Sequence, residues 1–144
     1  MELWLDERFK MDSIPEFETV FDRRIGVSSS SEDTLTVEDG IVKSGEQVVG
    51  GHVLIKDDLS QNHARSMIGS VEWLLVEFTD WSMIPIENLI AACEGTPTKI
   101  AAIITKTQQA HGAGFALQKG VDALVVRCDS MLIEEAMVVK SQRT

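Results

Sequence analysis

Three short apolar segments dominate the second half of the sequence, and each is followed by a helical pattern. They span Val71–Phe78, Lys99–Thr105 and Val121–Val126. Nearly continuous hydrophobicity over such a length is typical of strands that are covered on both faces. Strands joined by helices run parallel, because each helix carries the chain back across the sheet. The pattern therefore predicts an α/β fold of parallel βα units, either an open doubly wound sheet or a segment of a βα barrel.

Four helices are predicted from capping residues, apolar stripes and terminal glycines. The helix over 85–95 is the best defined, because its apolar residues recur at the spacing of one helix face and Pro85 suits the first helical position. Gly120 is expected to end the third helix in a left-handed conformation. The first predicted helix has Asp58 as its N-cap and Gly69 as its stop, and the second runs from Pro85 to Gly95. The third has Thr107 as its N-cap and runs to Lys119, and Ser130 opens the fourth.

Residues 34–55 predict a small antiparallel β element instead of βα units. Short extended pieces are separated by Asp39-Gly40 and Ser44-Gly45, dipeptides that favour hairpin turns. Gly50-Gly51 lies within the last predicted strand. The pair indicates a β-bulge or a close approach of another backbone, and a phosphate-binding role is the alternative.

The first 33 residues differ from the rest of the chain. Met1–Leu5 can form a short strand, but Pro15 interrupts the segment after it, and residues 28–31 are four consecutive serines of the kind found in connectors. We expect residues 1–33 to be an N-terminal extension or a degenerate first unit with a Ser-rich connector. Residues 34–144 are expected to form the α/β domain.

Charge and cysteine content exclude several classes of function. The 144 residues carry a formal net charge of −10, which disfavours nucleic acid and anionic membrane surfaces as partners. No apolar run is long enough to span a bilayer. The two cysteines and three histidines are scattered, so neither a disulfide framework nor a metal site is predicted. A reducing compartment, the cytoplasm, is the expected location.

Polar residues follow the three apolar segments, where ligands bind in both candidate folds. These are residues 79–82, 105–107 and 127–129, and we expect them to lie along one edge of the sheet. Any soluble βα protein has polar residues in these loops, so their convergence alone names no reaction.

Five of these loop residues are candidates for chemistry. Asp80 is a candidate general base or sugar-hydroxyl ligand, with a turn or cap role as the alternative. Trp81 can stack on a ligand ring or pack in the core, and Ser82 beside it is a candidate ligand-binding hydroxyl. Lys106 can form a Schiff base or bind a carboxylate, although exposed loop lysines are commoner. Arg127 is a candidate ligand-binding residue.

No self-sufficient catalytic motif occurs. His111-Gly-Ala-Gly114 lacks the spacing of a dinucleotide-binding loop and no strand leads directly into it. P-loop, GxSxG and HExxH motifs are absent. Glu87 occupies position N3 if Ile84 is the N-cap of its helix, where a carboxylate is favourable through the helix dipole alone.

The segment from Asp80 to Ala91, DWSMIPIENLIA, resembles the D-W-x-x-I-P-x-E-N-[LI]-[IV]-A segment of 3-dehydroquinate synthase II, the archaeal-type enzyme with relatives in plants and algae. Glu87 and Asn88 of this segment are further ligand-binding candidates. Val71–Phe78, the strand at Lys119–Val126 and the region Thr34–Lys56 also resemble that family. The resemblance covers roughly residues 34–140.

This resemblance implies an NAD-dependent enzyme of aromatic amino-acid biosynthesis. Such an enzyme oxidatively deaminates 2-amino-3,7-dideoxy-D-threo-hept-6-ulosonate, a small sugar acid, and the product cyclises to 3-dehydroquinate. In a plant or alga the location implied is the plastid. Chains of this family continue into a second, β-rich half, so the expected unit is an N-terminal domain, a fragment or a split subunit that works with a separate C-terminal half or another chain.

Two alternatives stay open. A non-catalytic binding or assembly module is the first, and it predicts a polar rim, whereas a fragment predicts an apolar patch where the missing half docks. An aldolase-type barrel with Lys106 as amine nucleophile is the second.

Overall fold

The chain forms a closed eight-stranded barrel in a computed structural model that describes residues 1–9, 17, 19–27, 34–80 and 83–143. The strands pair in sequence order around the barrel, and the first pairs with the last. All are parallel to their neighbours except β4, which runs antiparallel to β3 and β5. They are β1 (Glu2–Asp6), β2 (Arg23–Gly26), β3 (Thr34–Glu38), β4 (Ile41–Ser44), β5 (Gln47–Ile55), β6 (Trp73–Phe78), β7 (Lys99–Ile103) and β8 (Ala123–Val126).

The predicted α/β class and the parallel βα units are confirmed. The open doubly wound alternative is wrong, and the barrel is complete and closed instead of the predicted segment. The antiparallel element over 34–55 is also confirmed, as three strands of the barrel wall. Closure depends on pairing of β1 with β8, so that Leu3 lies beside Leu124. Two of the eight strands come from residues 1–33, while the serine run lies outside the described residues.

Side chains alternate between the two faces of each strand, so the core has two layers. The outward faces of β1 and of β5 to β8 pack under the helices, and the inward faces fill the barrel interior with side chains such as Ile25, Leu75 and Val125. Trp4 and Trp73 lie in this interior with ring centroids 4.6 Å apart and planes inclined by 63°. The interior is therefore a packed core and not a channel.

Glycines at 50 and 51 allow β5 to lie close to its neighbours, as predicted. A Cβ atom on Gly50 would stand 2.2 Å from the carbonyl oxygen of Trp73 on β6, and one on Gly51 would stand 2.4 Å from the sulfur of Met67. The register of β4 against β5 also shifts between Val42 and Lys43, which is the irregularity expected of a bulge.

The four predicted helices are present, with different ends. They are α1 (Asp58–Met67), α2 (Met83–Cys93), α3 (Thr107–Phe115) and α4 (Ser130–Arg143). None of these four is long and apolar enough to cross a bilayer.

Helix starts were the weaker part of the prediction. The N-cap of α1 is Asp57, whose carboxylate accepts from Ser60 N, so the assignment of Asp58 was wrong by one residue. Lys106, not Thr107, is the N-cap of α3. Helix α2 begins at Met83, two residues before Pro85. The proline does not prevent this, because the amides of the first turn have no intrahelical partner to lose.

Helix α3 is shorter than predicted. It ends at Phe115 and continues as a 3₁₀ turn over Ala116–Gln118, where Leu117 adopts a left-handed conformation. Gly120 has φ +76°, which confirms the predicted left-handed stop.

Candidate functional site

The three predicted loops lie at the same end of the barrel. They follow β6, β7 and β8, which are adjacent and mutually parallel, so their carboxyl ends meet along one side of the opening. We call this end of the barrel the mouth. Of the predicted site residues, Trp81 and Ser82 lie outside the described residues.

The remaining candidates occupy different environments at the mouth. Asp80 and Lys106 are exposed at the ends of β6 and β7. The amides of Thr105 and Lys106 both donate to Gln109 Oε1, at 2.8 and 3.2 Å, so this loop is held by α3. An exposed lysine of this kind lacks the desolvated surroundings that activate an amine nucleophile.

Glu87 and Asn88 lie within α2 and not at its start. Glu87 is half-buried and Asn88 is exposed. Because α2 begins at Met83, Glu87 is the fifth residue of the helix, two positions beyond the predicted N3 position. The stabilisation of its carboxylate by free first-turn amides, which we expected, is therefore not available there.

A pair of polar side chains on the interior faces of β5 and β6 was not predicted. His52 Nε2 lies 3.1 Å from Glu77 Oε1. Both residues lie on the interior face of their strands. His52 is in register with the interior residue Leu75, and Glu77 is two residues beyond Leu75 on the same face of β6. The hydrogen bond with His52, together with the positive charges of Arg8 and Arg127, holds the pKa of the Glu77 carboxyl below its ordinary value despite partial burial.

Arg8 and Asp6 form a second pair at the end of β1. Asp6 is fully buried, and its two oxygens accept from Arg8 Nε and Nη2, each at 2.9 Å. The hydrogen bonds to Asp6 raise the pKa of Arg8, and Glu77 contributes in the same direction. The bidentate geometry fixes the Arg8 guanidinium, since its Nε and Nη2 are both held by one buried carboxylate.

Arg127 reaches the mouth from the end of β8, in the same alternation as the interior residue Val125. Its Cζ lies 4.0 Å from the centroid of the Phe9 ring. Its Nε is buried and has no hydrogen-bond partner among the described residues. A cleft of about 340 Å³ lies at this end of the barrel between the ends of β2 and β3, and Arg8 is the only group of the two pairs that lines it, together with Gly26, Val27, Thr36, Val37 and Glu38.

The strand sequences do contain a signal for the missed residues. In WLLVEF, Glu77 shares the face of Trp73 and Leu75, and in LWLD, Asp6 shares the face of Trp4. A single acid at the carboxyl end of an interior row indicates a polar group that points into the mouth. That signal becomes useful only once the fold is known to be a closed barrel.

The opposite end of the barrel is filled by an aromatic and charged cluster. Glu2 accepts from Trp4 Nε1 at 2.9 Å and from Arg23 Nε at 3.0 Å. The Arg23 guanidinium lies over both tryptophan rings, and Lys99 lies over Trp73. A ligand that enters the barrel must therefore do so from the mouth.

Comparison with known proteins gives a consistent result. The family model of the 3-dehydroquinate synthase II N-terminal domain matches residues 10–138, which extends further toward the N-terminus than the resemblance found above. A 3-dehydroquinate synthase of Methanothrix thermoacetophila is 32% identical over 109 residues, which are 70% of this chain and 30% of the relative. One from Methanosarcina barkeri is 30% identical, over 72% of this chain and 29% of the relative.

A third relative, a 3-dehydroquinate synthase homolog of Aquifex aeolicus, is 38% identical over 94 residues, which are 65% of this chain and 26% of the relative. The chain thus spans less than a third of the length of the curated relatives it matches. No solved structure gives a significant match.

Proposed function

Because the chain belongs to the 3-dehydroquinate synthase II N-terminal domain family, we propose that it is the substrate-binding barrel of an enzyme of this type. The reaction proposed is the NAD-dependent oxidative deamination of the amino-heptulosonate, followed by cyclisation to 3-dehydroquinate. The sugar acid binds at the mouth of the barrel. This places the function at the end of the fold that β/α barrels use for chemistry.

The observation that carries the proposal is the His52–Glu77 pair at the mouth. The pair is anchored on two adjacent strands, and an imidazole held by a carboxylate is a common arrangement for proton transfer. Because Nε2 faces Glu77, Nδ1 is the nitrogen left to exchange a proton with a ligand. Glu77 acts as the positioning residue, and its lowered pKa keeps it ionised beside the ring.

Both stages of the reaction need a group of this kind. Oxidation of the amino-bearing carbon requires the neutral amine, so a proton must leave the ammonium group of the substrate. Ring closure moves a proton from the carbon beside a carbonyl to the oxygen that becomes a hydroxyl. An imidazole has one ring nitrogen that donates a proton and one that accepts it, whereas the guanidinium groups nearby have no acceptor.

NAD, when bound, supplies the hydride acceptor, but the starts of α1, α3 and α4 do not fit its pyrophosphate. A pyrophosphate needs free amides at a helix N-terminus. Asp57 already caps α1, and the carboxylate of Asp129 accepts from Leu132 N at the start of α4. Gln109 occupies the loop amides before α3. We therefore assign no NAD contact to these residues and propose that polypeptide beyond the matched region holds the dinucleotide.

Exposed apolar side chains around the mouth support a role within a larger enzyme. Of the large apolar residues that are exposed among those described, the four most exposed all lie at this end. They are joined there by Phe9, Ile41 and Leu54. Exposed apolar groups gathered on one face indicate a surface that another polypeptide covers. The four most exposed of these apolar residues are Val27, Leu59, Ile84 and Met131.

The test is to incubate the purified chain with NAD and the amino-heptulosonate, with and without the unmatched part of the Methanothrix relative supplied separately. We expect NADH only in the mixture. The His52→Gln variant should abolish it, while His63→Gln, on the exposed surface of α1, should not. No NADH in the mixture, together with no binding of the sugar acid by the chain, would favour the non-catalytic module.

A further inference from the structure

Two guanidinium groups flank the Phe9 ring at the mouth, and they differ in what they already bind. The Cζ atoms of Arg8 and Arg127 lie 5.6 and 4.0 Å from the ring centroid. Both Nε and Nη2 of Arg8 donate to Asp6. The Nε of Arg127 is buried and has no hydrogen-bond partner among the described residues. Arg8 is therefore already held by a carboxylate of the chain through two of its donors, whereas the Nε of Arg127 is not held by one.

A buried N–H without a partner needs an explanation, because most buried polar groups in proteins are hydrogen-bonded. The position of Arg127 is set by its strand and by the Phe9 ring, so its fork is held in one place. A planar guanidinium with free donors matches a carboxylate, which accepts two parallel hydrogen bonds. The unmet donor thus points to a ligand oxygen.

The charges around Arg127 narrow the class of anion. Arg8 and Arg127 are positive, while Asp6 and Glu77 are negative, so the four groups sum to zero. A singly charged carboxylate adds one negative charge, whereas a phosphate dianion adds two next to Glu77. Phe9 is half exposed, so a carbon ring can contact the part of its ring that the two guanidinium groups leave open.

We propose that Arg127 and Phe9 form a subsite for the carboxylate of a cyclic hydroxy acid. Arg127 donates to the carboxylate, the carbon ring lies against Phe9, and the hydroxyl groups extend toward His52 and Glu77. The identity of the acid as a dehydroquinate-like compound rests on the proposed function. The donor geometry of the subsite rests on the structure of the mouth alone.

The test is a ¹H–¹⁵N NMR titration of the whole chain with quinate and 3-dehydroquinate, using the Nε–H signal of Arg127 as the reporter. Quinamide, which lacks the negative charge, and inorganic phosphate are the comparison ligands. We expect quinate to shift the Arg127 signal and to bind at least tenfold more tightly than either comparison ligand. Arg127→Gln should weaken quinate at least tenfold, Arg127→Lys should retain part of the affinity, and Arg65→Gln on the outer face of α1 should leave it unchanged.

Three other results of the titration would each overturn one part of the proposal. Equal affinity for quinate and quinamide would overturn the carboxylate assignment. If the acids shift His52 and Glu77 but the folded Arg127→Gln variant binds them normally, the subsite is wrong while the proposed function stands. If neither acid shifts any residue at the mouth, the subsite and the location of the substrate site both fail.

Discussion

Replacing Gly50 by alanine should destabilise the barrel far more than the same change at Gly51. The two glycines are neighbours on β5, so the two variants have the same composition and lie in the same strand. The added methyl on residue 50 meets a backbone carbonyl of β6, at 2.2 Å. The methyl on residue 51 meets the flexible side chain of Met67, which can rotate away.

The cost at Gly50 follows from the movement that the clash requires. Strands β5 and β6 must separate by about 0.8 Å to bring that contact to 3.0 Å, which stretches neighbouring ladder bonds beyond hydrogen-bond range. Losing two such bonds costs about 2 kcal/mol, and the overpacking itself adds about 1–3 kcal/mol. The lower entropy of the unfolded alanine chain returns about 0.5–1 kcal/mol. We expect a net loss of about 3 kcal/mol for Gly50→Ala and under about 1 kcal/mol for Gly51→Ala.

Urea unfolding followed by far-UV circular dichroism measures the difference. With a slope of about 2 kcal/mol/M, the midpoint of Gly50→Ala should fall by about 1.5 M relative to the parent chain. The Gly51→Ala midpoint should stay within about 0.5 M of it. Equal midpoints for the two variants, or a larger loss at Gly51, would show that β5 does not approach β6 as closely as the structure has it.

Three further outcomes are expected from the polar groups of the core. Trp73→Phe should cost about 1 kcal/mol less in unfolding free energy than Trp4→Phe. The reason is that the buried Trp73 Nε1 has no partner among the described residues, whereas Trp4 Nε1 is hydrogen-bonded. Equal urea midpoints for the two variants would contradict this. The hydrogen bond to His52 lowers the pKa of Glu77, so its stabilisation is full above about pH 5 and is lost as the pH falls through the folded-state pKa. Glu77→Gln should therefore flatten the acid limb of the stability profile, and an unchanged limb would refute the coupling. Burial raises the pKa of the Cys93 thiol to about 11, so alkylation at pH 8 should modify Cys93 in the urea-unfolded chain and barely in the folded one, as read by mass spectrometry.

The sequence predicts those parts of the fold that depend on local patterns. Strands β6, β7 and β8 are covered on both faces, so their apolar runs stand out against the helical stripes that come after them. Barrel closure is not local. It requires β1 to pair with β8 across the whole length of the chain, and β2, with the sequence RRIG, carries no apolar run that marks it as a barrel strand.

The candidate site likewise has a part that the sequence predicts and a part that depends on how distant strands pair. Loops that follow predicted strands can be placed at one end from topology alone, which is why Arg127 was among the candidates. His52 and Glu77 lie on strands, and their side chains meet only because β5 and β6 are adjacent and in the observed register. A one-residue shift of that register would turn one of them away from the other.

The two ends of the barrel explain why chemistry belongs at the mouth. At the closed end, Trp4 and Trp73 fill the interior, and the charges of Glu2 and Arg23 are used on each other and on the rings. At the mouth, the interior rows end in ionisable groups instead of large apolar ones. The buried donor without a partner there, Arg127 Nε, belongs to a charged group, whereas the one in the packed interior, Trp73 Nε1, is neutral. A fold stabilised only by its core would gain nothing from a charge in that position, because burying a donor without a partner costs free energy. The polar mouth is therefore best explained by a ligand, and the apolar residues around it by a surface that encloses that ligand.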